Sequence, residues 1–134
     1  MRLLLDRFLL APIALIRLVL PGMVERGDGA LLFTGGQSGI HPTAVLGSAG
    51  VVQAGLRNYV YTLHSELAPK GVYAGLVNIG ALIEGSVPHQ AFHGREHPVG
   101  FEPEVIPPDA LADHFWDLYT TRDRPEVLAG TFGR

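Results

Sequence analysis

The sequence contains no cysteine. That excludes disulfides, thiolate metal sites and a thiol nucleophile, and makes a reducing cytoplasm the default setting. Charge is scarce: Asp, Glu, Lys and Arg make up 17 % of the 134 residues, against roughly a quarter in an average soluble protein. Basic residues are not in excess. Ten Lys and Arg face thirteen Asp and Glu, for a net charge of −3, and the signs are mixed along the chain. A nucleic-acid footprint needs a basic face, so nucleic acid is not an expected partner. A clean apolar run is missing too. Residues 3–20 are mostly Leu, Ile, Val, Ala and Phe, but Asp6, Arg7 and Arg17 lie inside the run and Pro12 interrupts it. A spanning helix wants about 20 largely uncharged apolar residues, and a signal peptide wants an unbroken apolar core. The segment reads instead as a soluble, mostly buried helix, with no membrane partner. There is no internal repeat and no disordered linker.

What is present is apolar bulk, 47 % of residues, in a chain long enough for one domain. Residues 3–20 predict a helix bent at Pro12 and stopped or loosened at Pro21-Gly22. Residues 30–34 predict a buried strand that empties into the glycine loop of "GALLFTGGQSGI". A second helix spans about Leu46 to Ala68, because Val52, Leu56, Tyr59, Val60, Leu63 and Leu67 recur at steps of three and four. Residues 72–79, "VYAGLVNI", predict a second buried strand. A long loop, 80–108, leads to a third helix from Asp109, as N-cap, to about Thr120. Residues 126–129 predict a short last strand. This alternation is that of an α/β fold with a parallel sheet. So few strands rarely make a complete parallel sheet, so the pattern reads as part of a larger doubly wound sheet, or as a protein that finds the rest in a partner.

Three chemistries compete for the glycine loop. A dinucleotide fingerprint needs G-x-G-x-x-G, and Gly35-Gly36-Gln37-Ser38-Gly39 fails that spacing; no Gly-Lys-Ser/Thr follows for a P-loop. A nucleophile elbow, G-x-S-x-G, starts at Gly36-Gln37-Ser38 but has Ile40 where the last glycine must stand, which weakens a serine hydrolase reading. The third reading is a loop at the carboxyl end of a parallel strand, where ligands bind in open α/β sheets. On spacing alone it balances evenly against a turn with no ligand role.

Two stretches, "LVLPGMVERGDGALLFTGGQSG" and "GSAGVVQAGLRNYVYTLHSELAPKGVYAGLVNIGALI", resemble the second half of short-chain dehydrogenases/reductases. In that family a leucine-proline-x-methionine helix end precedes a strand that closes in a serine-bearing loop. A Tyr-x-x-x-Lys helix, an "ELAP-G" turn and a strand ending in Pro-Gly follow. The resemblance covers roughly residues 5–84, and "PPDALADHFWDLYTTRD" looks like the family's late helix. It implies a partial Rossmann-like sheet whose first βαβ half is absent. It also implies a single domain over 1–134 with a variable lid loop at about 84–108.

The departures bear on chemistry. The family's catalytic serine, tyrosine and lysine fall at Gly36, Ala49 and Gln53, its helical asparagine near Phe8, and its Pro-Gly at Ile79-Gly80. A tyrosine has a pKa near 10 and needs a neighbouring cation to exchange protons at neutral pH. Gln53 supplies no such cation, and Ala49 offers no phenol. The resemblance implies NAD or NADP as cofactor, flanked by Gln53, Ile79, Gly80 and Leu82. Ser38, His41 and the lid would face a small-molecule carbonyl or alcohol. No catalytic residue is intact, so the expectation is a truncated and catalytically impaired reductase. The alternative is a non-catalytic dimerisation or ligand-binding module derived from one. In the family the matching helices pair across a two-fold axis, which implies a homodimer through helices 3–20 and 46–68.

His89, His93 and His97 are spaced by four, and on a helix they would line one face and ligate zinc. Gly94 and Pro98 break such a helix and there is no HExxH. The segment therefore reads as lid, with no metal expected.

Overall fold

The computed structural model describes residues 1–96 and 103–131. The chain opens with a helix over residues 2–26 (α1), α-helical over Arg2–Leu5 and Ala11–Arg26 with one wider π-helical segment, Asp6–Leu10, between them. The wide turn stands directly before Pro12, whose ring crowds the carbonyl four residues back in a regular helix. The expected bend at Pro12 thus takes the form of a π turn. The expected stop at Pro21-Gly22 does not occur. The helix runs through exposed Pro21 and ends at Gly27, where φ is +67° and the N–H bonds the carbonyls of Met23 and Val24. Met23 and Val24 pack against the core, which outweighs the hydrogen bond lost at Pro21, and the left-handed glycine supplies a low-strain end.

Then follow β1 (Gly29–Gly36), 3-10 turns at Gln37–Gly39 and Ala44–Leu46, and α2 (Gly47–Leu67). A 3-10 turn at Ala68–Lys70 leads to β2 (Val72–Ile79). The expected long loop contains β3 (Leu82–Ile83), α3 (Val87–His93) and β4 (Val105–Ile106), so the lid region is not loop throughout. Here α3 forms because the Ser86 hydroxyl accepts from the His89 N–H at 3.3 Å and Pro88 sits in the first turn. Then come α4 (Pro108–Thr121) and β5 (Glu126–Ala129). The N-cap of α4 is Pro107, not Asp109; Asp109 lies inside the first turn, where its charge favours the helix dipole.

The three long strands form one parallel sheet in the order β1-β2-β5. Pairing runs from Gly29↔Val72 to Gly36↔Ile79, and from Leu76↔Glu126 to Ile79↔Ala129. β3 and β4 make a separate parallel pair. Strand β2 is central and covered on both faces, which is why it reads as an unbroken apolar run. One face carries Val72, Ala74 and Leu76 against Leu56, Val60, Leu63 and Leu67 of α2 and Ile16 of α1. The other carries Tyr73 and Val77 against Leu111 and Leu118 of α4.

Gly71 turns the chain from α2 into β2 with φ +75°. Its Cα lies so close to the Gly27 carbonyl that a Cβ would overlap that oxygen. The two left-handed glycines meet where β1 and β2 begin. Among the described residues no helix is long and apolar enough to cross a membrane.

Candidate functional site

Parallel strands bring their carboxyl ends, and the loops that follow, to one edge of the sheet. At that edge the Gly36 N–H donates to Gln53 Oε1 at 3.2 Å, tying the end of β1 to α2. A backbone donor at that position decides the orientation of the carboxamide. The Gln53 Nε2 group is left with no partner among the described residues. Gly39 lets the loop seat directly on the helix: a Cβ there would stand 2.9 Å from the Gln53 carbonyl carbon and 3.0 Å from its oxygen. Ser38 is half-buried, and a Cβ on Gly50 would lie 3.3 Å from its carbonyl oxygen.

Gly36 and Gln53 are therefore joined, and Ser38 and Gly39 pack on the same stretch of α2. Ala49 is half-buried one turn before Gln53. Ser38, however, opens onto a groove of about 450 Å³ whose α2 wall is Gly47, Gly50, Val51 and Ala54, not Ala49 and Gln53. Gly80 ends β2 and donates to the Ala129 carbonyl at 2.9 Å, with the Gln37 side chain resting against its Cα. Leu82 is half-buried and donates to the Glu104 carbonyl at 2.9 Å, and Ile79 is half-buried at the strand end. His41 stands apart: it is exposed, held only through backbone, with its N–H on the Gln37 carbonyl at 2.8 Å. Phe8 is 47 % exposed on α1. No imidazole is hydrogen-bonded to the Ser38 hydroxyl among the described residues.

In α3 the Nε2 atoms of His89 and His93 are 3.0 Å apart, and the Gly85 N–H donates to His89 Nδ1 at 3.0 Å. That backbone donor requires a lone pair at Nδ1, so neutral His89 carries its proton on Nε2 and donates it to His93. His97 lies outside the described residues. Among the described residues no three His, Cys, Asp or Glu gather where they could hold a metal ion.

Sequence reasoning missed a polar cluster. Asn78 is 1 % exposed on β2 and its Nδ2 donates to Glu126 Oε2 at 2.7 Å. Glu126 also accepts from Arg57 and from the Tyr61 hydroxyl on α2, the latter at 2.7 Å. Partial burial opposes ionisation of the Glu126 carboxyl, but the hydrogen bonds from Arg57 and Tyr61 overcome it and hold it below the ordinary range. The bonds that Arg57 donates to Glu126 in turn raise the Arg57 guanidinium. Burial first, then Glu126, pushes the Tyr61 phenol up. One signal was available: Asn78 is a polar residue inside an apolar strand run, and a buried amide must find a partner.

No family model matches the chain. It is 43 % identical over 56 residues to a very-long-chain 3-oxoacyl-CoA reductase from Bos taurus, a match that spans 42 % of this chain and 18 % of that protein. Among solved structures it superposes on a short-chain dehydrogenase from Sphingobium yanoikuyae in complex with NADPH with a TM-score of 0.75 and 24 % identity, over 92 % of this chain and 46 % of the other. It superposes also on a short-chain oxidoreductase from Pseudomonas aeruginosa PAO1 containing an atypical catalytic center, TM-score 0.70 and 20 % identity, over 86 % of this chain and 51 % of the other. The chain thus spans about half the length of these solved relatives and under a fifth of the curated one. Its parallel sheet and its helices on both faces have the fold of part of these solved short-chain dehydrogenases, and a stretch of 56 residues is similar in sequence to the 3-oxoacyl-CoA reductase.

Proposed function

We propose that the chain forms the nicotinamide-end and substrate-side half of an NAD(P)-dependent reductase site for a carbonyl or alcohol, and that it lacks the proton-transfer pair of its family. The observation that carries this reading is the Gly36–Gln53 bond. On the resemblance, Gly36 and Gln53 match the family's catalytic serine and lysine, so a bond between them supports a site that keeps its frame without its reactive groups. Because Oε1 is engaged, the free Nε2 of Gln53 is a hydrogen-bond donor suited to a ribose hydroxyl. Gln53, Ile79, Gly80 and Leu82 would hold the nicotinamide end; the cofactor, when bound, supplies the hydride. Ser38 contributes a hydroxyl near the substrate, and His41 and the region 84–108 border it. No residue here transfers the proton, because Ala49 has no acidic group and Gln53 no charge. Residues 1–134 act as one domain, in the cytoplasm.

The test is titration of the purified chain with NADPH, with Trp116 fluorescence as reporter. Saturable quenching without turnover is expected. The absence of any saturable signal up to millimolar NADPH rejects the reading.

A second reading, a non-catalytic dimerisation module, is favoured by surface apolar residues. Leu3, Leu10 and Leu18 of α1 are 60 %, 54 % and 79 % exposed, and Val51 of α2 is 60 % exposed. The cost of leaving such a stripe in water supports a homodimer through α1 and α2.

A further inference from the structure

The four-residue spacing of His89, His93 and His97 predicts a shared helix face that Gly94 interrupts. The interruption comes late. Helix α3 ends at His93 with Gly94 as its C-cap, so the first two histidines stay on one helix. Residues four apart lie one above the other there. Accordingly the His89 and His93 Nε2 atoms converge to 3.0 Å, with ring centroids 4.7 Å apart and ring planes at 72°.

That separation is the bite of a chelate. With metal–nitrogen bonds of about 2.0–2.1 Å, two nitrogens at a right angle stand ~2.9 Å apart, and at a tetrahedral angle ~3.3 Å. The observed 3.0 Å matches the right angle. Square-planar and tetragonal Cu(II) and Ni(II) prefer that angle, and Cu(II) binds nitrogen ligands most strongly among the divalent first-row ions. Because His93 is exposed and His89 half-buried, an ion held between them stays open to solvent. Among the described residues no third His, Asp or Glu joins the pair, so water completes the coordination. One contact opposes the ion. The Gly85 N–H donates to His89 Nδ1 at 3.0 Å and keeps the ring proton on Nε2. A metal at Nε2 moves that proton to Nδ1. Coordination therefore exchanges two exposed, neutral hydrogen bonds, Gly85–His89 and His89–His93, for two metal–nitrogen bonds. Neutral hydrogen bonds in water contribute little net free energy, so the exchange favours the metal.

We propose that His89 and His93 form a two-imidazole site for a divalent transition-metal ion of tetragonal preference, Cu(II) foremost. It lies wholly on α3, apart from the Gly36–Gln53 frame, and does not depend on the reductase reading. An ion shared by the two rings clamps the turns of a seven-residue helix that has no buried side chain of its own.

The experiment titrates copper(II) chloride into the full 134-residue chain near neutral pH, followed by calorimetry and electron paramagnetic resonance. One equivalent is expected to bind with micromolar Kd and to show two coordinated imidazole nitrogens. His89→Gln and His93→Gln should each weaken binding by at least ~10-fold, because the second ring acts as a tethered ligand at high effective concentration. Both variants should keep the fold, since α3 buries no side chain, and circular dichroism checks this. His114→Gln, on α4, should leave the Kd unchanged. The absence of a micromolar equivalent overturns the proposal. So does an affinity that either α3 variant leaves intact, or a spectrum with fewer than two imidazole nitrogens. Loss of copper on His114→Gln places the ion elsewhere and overturns it as well.

Discussion

Glu126, the first residue of β5, receives Arg57 of α2 in a two-pronged bond, with Nε 2.9 Å from Oε2 and Nη2 2.7 Å from Oε1. The pair fastens the last strand to the helix that covers the sheet. The Asn78 amide closes the cluster from below, so no side-chain polar atom buried among the described residues lacks a partner. Removing one member leaves the others unpaired. Arg57→Ala is expected to cost about 1–3 kcal/mol, between the values for exposed and for fully buried pairs, because the arginine is about one-third exposed. Urea unfolding with an unchanged m-value checks this; a loss below ~0.5 kcal/mol would mean the cluster is surface decoration.

Acid titration should expose the same contact. The folded Glu126 pKa lies below its ordinary 4.5. Its stabilisation is therefore complete above 4.5 and is lost as pH falls from there through the lower folded value. Glu126→Gln should flatten the stability-against-pH curve below that point. Parallel curves for both proteins would show that the carboxylate is not the group responsible.

The contact between Gly27 and Gly71 makes a sharper forecast. Gly71→Ala meets both a left-handed backbone and the Gly27 carbonyl, so it should destabilise by about 2 kcal/mol or more. Gly85 also has φ +77° but has open space around it, and Gly85→Ala should cost about 1 kcal/mol from backbone strain alone. Equal melting temperatures for the two variants would contradict the packing argument.

Gln53→Ala separates scaffold from ligand. It removes one partly buried hydrogen bond, worth about 0.5–1.5 kcal/mol of stability. It also removes the free amide, and NADPH Kd should rise at least ~10-fold, close to the worth of one strong polar contact. A lower melting temperature with unaltered NADPH affinity would assign Gln53 to the scaffold only.

For association, Leu18→Glu places a charge on an α1 residue that is 79 % exposed. It should shift a micromolar dimer to monomer in light scattering while leaving thermal unfolding of the monomer nearly unchanged. A wild-type chain that is monomeric at that concentration removes the dimer altogether.

Helix α2 and strand β2 are legible because a helix with one buried face and a strand buried on two faces each write their pattern into the sequence. The end of α1 is not. Pro21 is a local stop signal, and core contacts of Met23 and Val24 beyond it override it. Helix α3 was hidden for the opposite reason: seven residues with no buried side chain have no apolar period to read, and only the Ser86 cap and Pro88 mark the start.

The sequence by itself determined the α/β alternation and the absence of thiol chemistry, since these follow from residue types and short-range periods. Only the tertiary structure decided that Gln53 reaches Gly36, that Ser38 opens onto a different wall of α2, and that Arg57, Tyr61, Asn78 and Glu126 form one cluster. Glu126 lies 69 residues from Arg57 and 48 from Asn78. No local period links residues so far apart, and only the pairing of parallel strands beneath a common helix brings their side chains together.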